Sequence, residues 1–336
     1  SQADREYLQK MRSQIKAHPS GGYEVPIMWN KNKDILPNQK SYFAAKNRFF
    51  SFEKSKFYQD EQKRLKYFEV FRGWERSGYI EKVKSYDVTD SWFLPHFPTA
   101  KKASTKVRPV FDAKYRPDGK LGLNDAIDAG PNVLSNIISV LVRFRALPVA
   151  LSCDVKDMFL KIKLPESDKK FFRFFYRESP SQPLICYQFT VRVFGGKDSP
   201  SAAVTTVTSE AEECKLEYQT LYDTVLNSIS VDDTLDSFLN EETATKIKEQ
   251  LIKLFKKCNM ELHKFASSHS EVVKLESEQK IKVPENTKAL GLRWHLGTDK
   301  LSYEAVKPNF EFTTKRSILK THAQVFSPLG RISPFQ

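Results

Sequence analysis

Apolar positions recur at helical spacing in the first eighteen residues, where Leu8, Met11 and Ile15 share a face. Pro19-Ser20-Gly21-Gly22 stops that run. Two amphipathic helices are expected between residues 38 and 76, rich in Lys, Arg, Phe and Tyr, and Gly78 closes the second. Over 92–96 and 106–111 the spacing shifts to strands joined by a basic loop, 99–105, and Pro109 restricts the second strand to an edge or a bulge. Gly130-Pro131 opens a helix through Leu134, Ile137, Leu141 and Phe144 that Pro148 ends. Residues 149–154 read as a buried strand running up to Asp154, and 171–176 with 184–193 alternate like a sheet hairpin. A glycine-bearing loop, 194–200, leads into a helix over 201–222. Asn240 then caps a helix with Glu241 and Glu242 in its first turn and Lys256 and Lys257 in its last, matching the helix dipole. Strands return, including 289–294, and a last helix is expected over 314–326.

Between the last two long helices lies Val231-Asp232-Asp233, with Ile229 and Leu235 on either side, as at the tip of a hairpin. Two carboxylates about 4 Å apart repel by ~1 kcal/mol in water and ~4 kcal/mol near a protein surface. A divalent cation turns that cost into affinity, which is how phosphoryl-transfer enzymes hold hard metals. Taken alone, the stretch reads sooner as an exposed Asp-rich hairpin turn, and the rest of the chain reverses that. The strand ending at Asp154 supplies a third acid, and the order strand, helix, strand, strand, helix, strand is a split βαβ plan that can set all three on one sheet.

Composition narrows the partners. The 336 residues carry 54 basic and 41 acidic side chains, a net charge of +13, which points to a polyanion. Hydrophobic content of 40% and aromatic content of 12% indicate a folded chain. No apolar run is long enough to span a membrane, so no membrane partner is expected. The basic and aromatic residues of 38–76 suit either a nucleic-acid surface or lysine stems lying over a packed aromatic face. Cys153, Cys186, Cys214 and Cys258 lack metal-ligand spacing and read as reduced structural thiols of an intracellular protein. Cytoplasmic, particle-associated and nuclear sites all remain open.

The chain resembles the reverse transcriptases of the BEL/Pao group of LTR retrotransposons, from about Tyr23 to the end. The likeness is carried by Tyr23-Glu-Val-Pro26, Lys106-Val-Arg-Pro-Val-Phe-Asp112, Leu123-Asn-Asp125, Gly130-Pro131-Asn132 and Phe144-Arg145. It continues through Asp154 with Met158-Phe159-Leu160, Phe194-Gly195 with Ser199-Pro200, Val231-Asp232-Asp233, Leu290-Gly291 and Thr314-Lys-Arg-Ser-Ile318. It implies an α+β right-hand polymerase fold of fingers and palm, with a split βαβ palm sheet and the thumb absent or only begun. The implied division is 1–90 as a helical extension and the start of fingers and palm, 91–148 as fingers, 149–310 as palm with part of the fingers (about 165–195), and 311–336 as the start of thumb or connection. An alternative is a domesticated, noncatalytic scaffold that binds nucleic acid or a protein partner.

Under this resemblance the activity is RNA- or DNA-templated extension of a primer with dNTPs, using two Mg²⁺ ions for which Mn²⁺ can substitute. Asp154 and Asp232 ligand the metals, and Asp233 completes the cluster with a lesser direct role. Lys101 and Arg108 grip the triphosphate, with main-chain amides at Asp157 and Met158. Phe159 blocks a ribose 2′-hydroxyl. Phe194 and Gly195 line the nucleotide and template pocket, Ser199-Pro200 start the helix beneath it on the primer and template side, and Lys264, a nucleotide-binding residue, stands near a lysine proposed to protonate pyrophosphate. Lys102, Lys106, Ser230 and the Leu290-Gly291 turn meet primer and template. Two departures stand out: Ser230 replaces an aromatic residue that packs on the primer end, and Gly196-Lys197-Asp198 replaces an apolar residue and small polar ones.

Overall fold

The structure, a computed structural model, describes residues 1–36, 38–100, 107–133, 135–273, 286–303 and 314–322. The chain divides into two units, Ser1–Val133 with Asp157–Thr206, and Leu134–Lys156 with Val207–Gln336.

The first unit is built on an aromatic core. Helices Asn38–Glu53, Lys56–Gln59 and Glu61–Arg76 turn Phe49, Phe52, Tyr58, Tyr67, Phe68 and Phe71 inward. The aromatic face of 38–76 is therefore packed, in line with the structural alternative. The sheet order is Ile80–Lys82, Ile185–Phe189, Arg173–Tyr176, all antiparallel, and Phe174 and Phe189 join the same core. His96–Ala100 pairs with Val107–Phe111, and Pro98 faces Pro109, two residues that could not both serve an interior ladder. The first of these strands begins at His96 rather than Trp92, because 92–94 runs beside Arg173 through a single bridge, Phe93 to Arg173. The first helix stops at Gln14, earlier than its apolar spacing suggests. Lys16–Ala17 instead pairs with Tyr23–Glu24 across a turn in which Gly21 and Gly22 take positive φ.

Two buried acids clasp residues 25–29 to this unit. Asp168 accepts from the Ile27 amide at 2.8 Å and from Trp29 Nε1 at 2.9 Å. Asp198 accepts from the Met28 amide at 3.3 Å and faces Arg192 Nη1 at 2.8 Å, the two side chains being 1% and 0% exposed. Arg192 Nη2 donates onward to the carbonyls of Val25 and Pro26. The unusual Asp198 of the 194–200 loop thus neutralises a buried guanidinium.

In the second unit four antiparallel strands run in the order Glu261–Ser267, Val149–Lys156, Asp233–Phe238, Ile229–Ser230. Both central strands are buried nearly throughout: Val149–Lys156 is accordingly apolar over most of its length, whereas Asp233–Phe238 buries Thr234, Asp236 and Ser237 beside Leu235 and Phe238. Helix Glu241–Lys257 packs on this sheet. Its Asn240 side chain accepts from the Thr243 amide at 2.9 Å, as its sequence implied. Sheet residues Ala150, Leu235 and Ala266 share a core with Val140 and Phe144 of helix Ile137–Phe144. Ala289 and Trp294 complete that core from the sheet formed by Asn286–Ala289, Leu292–His295 and Lys300–Ser302.

Two helices differ from expectation here. The one expected from Gly130-Pro131 begins at Ile137, because Asn136 accepts from the Ile138 and Ser139 amides and caps it there. The long helix over 201–222 is two, Ser199–Glu213 and Gln219–Ser228. The break restarts the apolar stripe so that Leu221 and Val225 are buried while Leu216 stays in solvent. The last helix spans Lys315–His322, and 323–326 lie outside the described residues. Burial pushes the Cys153, Cys186 and Cys258 thiols up to about 12, so they stay protonated structural groups. Among the described residues no helix is long and apolar enough to cross a membrane.

Replacing Asp198 by Ala strands the Arg192 charge in the core, and urea denaturation should register a loss of about 3–5 kcal/mol. Glu261→Ala, which removes the exposed partner of Lys156, should cost under about 1 kcal/mol. Equal losses would contradict the clasp.

Candidate active site

Strand register gathers the acids. Asp233 lies directly opposite Asp154 in the antiparallel ladder, so the two side chains leave the same face of the sheet. Asp232 sits in the preceding tight turn, and its carbonyl accepts from the Val155 amide at 2.7 Å. That turn is made by Val231 at φ 57°, a conformation costly for a β-branched residue. Ser230 pairs across the hairpin with Asp233.

The third strand brings a cation. His263 faces Asp154 in register, but the pairing then slips before Ala266, leaving one extra residue on this strand. The bulge carries Lys264 at φ 53° and aims its side chain at Asp154, where Nζ donates to Oδ2 at 2.6 Å. His263 Nε2 stands 3.6 Å from the other oxygen of Asp154. Burial first, then the charges of Asp232 and Asp154, push the Asp233 carboxyl up to about 6, while the Lys264 ammonium pulls the other way.

A cleft of about 790 Å³ opens on this face, lined by Asp154, Asp233, Lys264, Leu290, Gly291 and Arg293 among others. Leu290 at φ 46° and Gly291 at φ 86° form the two-residue turn between Asn286–Ala289 and Leu292–His295, the geometry such hairpins favour. Non-glycine residues in the left-handed region thus recur around the acids, at Val231, Lys264 and Leu290. Such strain is retained where the surrounding structure and function require it.

The remaining expected site residues that the structure describes belong to the first unit. Phe159, buried at 9% exposure, packs edge-on against Phe194 with ring centroids 5.0 Å apart. Gly195 takes φ 104°, and a Cβ there would stand 3.1 Å from the Phe111 carbonyl oxygen. Asp157 is exposed at φ 52° ahead of the buried Met158. Ser199-Pro200 opens its helix, with Ser199 Oγ donating to the Val193 carbonyl at 3.0 Å. Arg108 is exposed on strand Val107–Phe111. Lys101, Lys102 and Lys106 lie outside the described residues. Sequence reading missed His263, which only the strand register places beside Asp154. Asn124, within Leu123-Asn-Asp125, has no role assigned from sequence; its amide donates to the Gly195 carbonyl at 2.8 Å and accepts from the Lys197 amide at 3.0 Å.

A split βαβ sheet with acids on adjoining strand ends is the α+β architecture of reverse-transcriptase-like polymerases. A foamy viral protease-reverse transcriptase solved in complex with ds DNA matches at a TM-score of 0.54 and 14% identity, over 77% of this chain and 39% of that one. A second, in complex with an RNA/DNA hybrid, matches at 0.48 and 14% over 68% and 25%. The chain therefore spans well under half the length of these proteins. No family model matches it, and neither does any curated protein. The first of these likenesses shows the fold.

The sequence resemblance implies divalent metal at the acids. As the side chains stand, no three acidic, histidine or cysteine groups among the described residues are arranged to hold an ion. The donor chemistry fits, because the carboxylates offer an all-oxygen set of the kind hard cations take. The repulsion felt by Asp233 is of the kind a cation relieves, and Lys264 already places a positive charge on Asp154.

The Asp233 carboxyl keeps its proton to about pH 6, whereas its ordinary value is 3.8. The folded protein therefore binds more protons than the unfolded chain between these values, and stability falls as pH rises through them. Asp233→Asn should accordingly be more stable than wild type above pH 6, by on the order of 1 kcal/mol once solvent screening is allowed for. The gain should vanish below the ordinary carboxyl value in thermal denaturation with chelator. A gain independent of pH would mean that burial and the neighbouring acids do not raise the Asp233 carboxyl.

Proposed function

We propose that the chain is the polymerase part of a reverse transcriptase of the BEL/Pao type, extending a primer on an RNA or DNA template. The observation that carries this reading is the register that sets Asp233 opposite Asp154 with Asp232 in the adjoining turn. The +13 charge and the fold shared with a polymerase solved on ds DNA support it.

In this reading Asp154 and Asp232 hold two Mg²⁺ ions, or Mn²⁺ in their place, and Asp233 adds negative charge behind them. When bound, the ions activate the primer 3′-hydroxyl and stabilise charge on the leaving pyrophosphate. In the same reading Lys264, once freed from Asp154, gives a proton to that pyrophosphate. Lys101 and Arg108 neutralise the triphosphate, which the amides at Asp157 and Met158 also contact. Lys102 and Lys106 meet the template backbone, and the Leu290-Gly291 turn with Ser230 supports the primer end. Phe159 fills the space a 2′-hydroxyl needs. An apolar pocket cannot strongly reject an added hydroxyl through lost contact alone, whereas a rigid ring in its path can.

Primer extension on RNA and DNA templates in Mg²⁺ and Mn²⁺ tests this. Asp154→Asn and Asp232→Asn should each lower the rate by at least ~10³-fold, several kcal/mol of lost charge stabilisation. Asp233→Asn should be milder. Phe159→Val should leave extension intact yet reduce the dNTP-over-rNTP ratio of kcat/KM by ~2–4 kcal/mol. A folded wild type that binds primer–template and extends nothing in either metal would sink the enzymatic reading and leave a nucleic-acid-binding scaffold, the reading that Ser230 favours.

A further inference from the structure

Phe194 poses a physical problem. Its ring is 49% exposed, so burial alone does not fix it, yet it is the partner against which the buried Phe159 ring rests. A ring that excludes a hydroxyl by overlap works only while its position is fixed, since a yield of about 1 Å would admit the oxygen. Something must hold the backbone that carries Phe194.

The Asn124 amide does so. Its nitrogen donates to the Gly195 carbonyl at 2.8 Å and its oxygen accepts from the Lys197 amide at 3.0 Å, spanning the peptides that follow Phe194. Gly195 is held open at φ 104° against the Phe111 carbonyl. Asn124 is itself only 9% exposed and stands on a short turn, Leu123–Asp125, that is pinned on several sides. Its own amide donates to the Ala113 carbonyl at 3.0 Å. Arg116 reaches both oxygens of Asp125 at 2.9 Å, and the Asn30 and Asn32 side chains donate to the Asp125 carbonyl. Beyond the clamp, the buried pair of Asp198 with Arg192 anchors the loop's far side. Only a carboxamide supplies the donor and the acceptor that Gly195 and Lys197 require.

We propose that Asn124 is a positioning residue for sugar discrimination: through the Gly195 and Lys197 peptides it fixes Phe194, and through Phe194 it fixes Phe159 against the nucleotide sugar. This rests on the polymerase reading. Asn124→Ala removes both hydrogen bonds. Asn124→Asp keeps the acceptor but sets a carboxylate oxygen against the Gly195 carbonyl.

The experiment combines three readouts on the same variants. Hydrogen exchange at the Lys197 amide should accelerate in Asn124→Ala, which tests the clamp without reference to activity. The dNTP-over-rNTP ratio of kcat/KM should fall roughly tenfold in Asn124→Ala and Asn124→Asp, mostly through faster use of rNTP. In a Phe194→Ala background, Asn124→Ala should change the ratio no further, because its effect runs through that ring. Should Asn124→Ala fail to fold, Asn124→Ser carries the same measurements. Active variants with accelerated exchange and a wild-type ratio would overturn the proposal alone. A wild type that extends no primer would remove the polymerase reading, and this one with it.

Discussion

Backbone pairing forces carboxylates together at the tip of the central sheet. Asp154 and Asp233 are opposite partners in a continuous six-pair ladder, so they cannot part unless the sheet slips or frays. Asp232 follows them in because its carbonyl is tied to the Val155 amide. Burial, and then the repulsion from Asp232 and Asp154, raises the Asp233 carboxyl above the ordinary range. Only positive charge relieves it, and the nearest is Lys264, delivered by a bulge that a regular strand would not contain. Folding alone gives no reason for such a cluster: a pair of serines at these positions would spare the sheet the repulsion. The strained residues around the cluster, Val231, Lys264 and Leu290, follow the same logic.

The first unit solves a different problem, keeping an irregular segment in place. The largest side chains of its core are aromatic, and residues 25–29 and the loop after Phe194 have few ladder partners of their own. Buried polar side chains take over the task. Asp168 and Asp198 satisfy backbone amides of residues 27 and 28, Arg192 satisfies two carbonyls, and Asn124 spans two peptides of the loop after Phe194. Each of these groups is costly if left unpaired, which makes the arrangement specific as well as stable.

Elements whose cause is local were legible in the sequence. The strand up to Asp154, the acidic hairpin and the Asn240-capped helix rest on runs, turns and caps that lie within a few residues. The helix expected from Gly130-Pro131 started late because Asn136 is the better cap, and the apolar stripe of 201–222 concealed a break that only packing decides. Asn124 and Gly195 lie 71 positions apart, and His263 meets Asp154 across strands 109 positions apart. No local pattern encodes such pairs. Within the Gly196-Lys197-Asp198 departure, the acid at 198 answers Arg192, buried beside it.

The claim that these acids exist to hold catalytic cations is met most directly by a crystal structure with primer–template, a nonhydrolysable dNTP and Mn²⁺, the metal located by its anomalous scattering. Mn²⁺ held by the carboxylates of Asp154 and Asp232, with the Lys264 ammonium moved off Asp154, is the expected result. Nucleotide bound elsewhere, or no anomalous signal at the acids while Lys264 keeps its contact with Asp154, would contradict it.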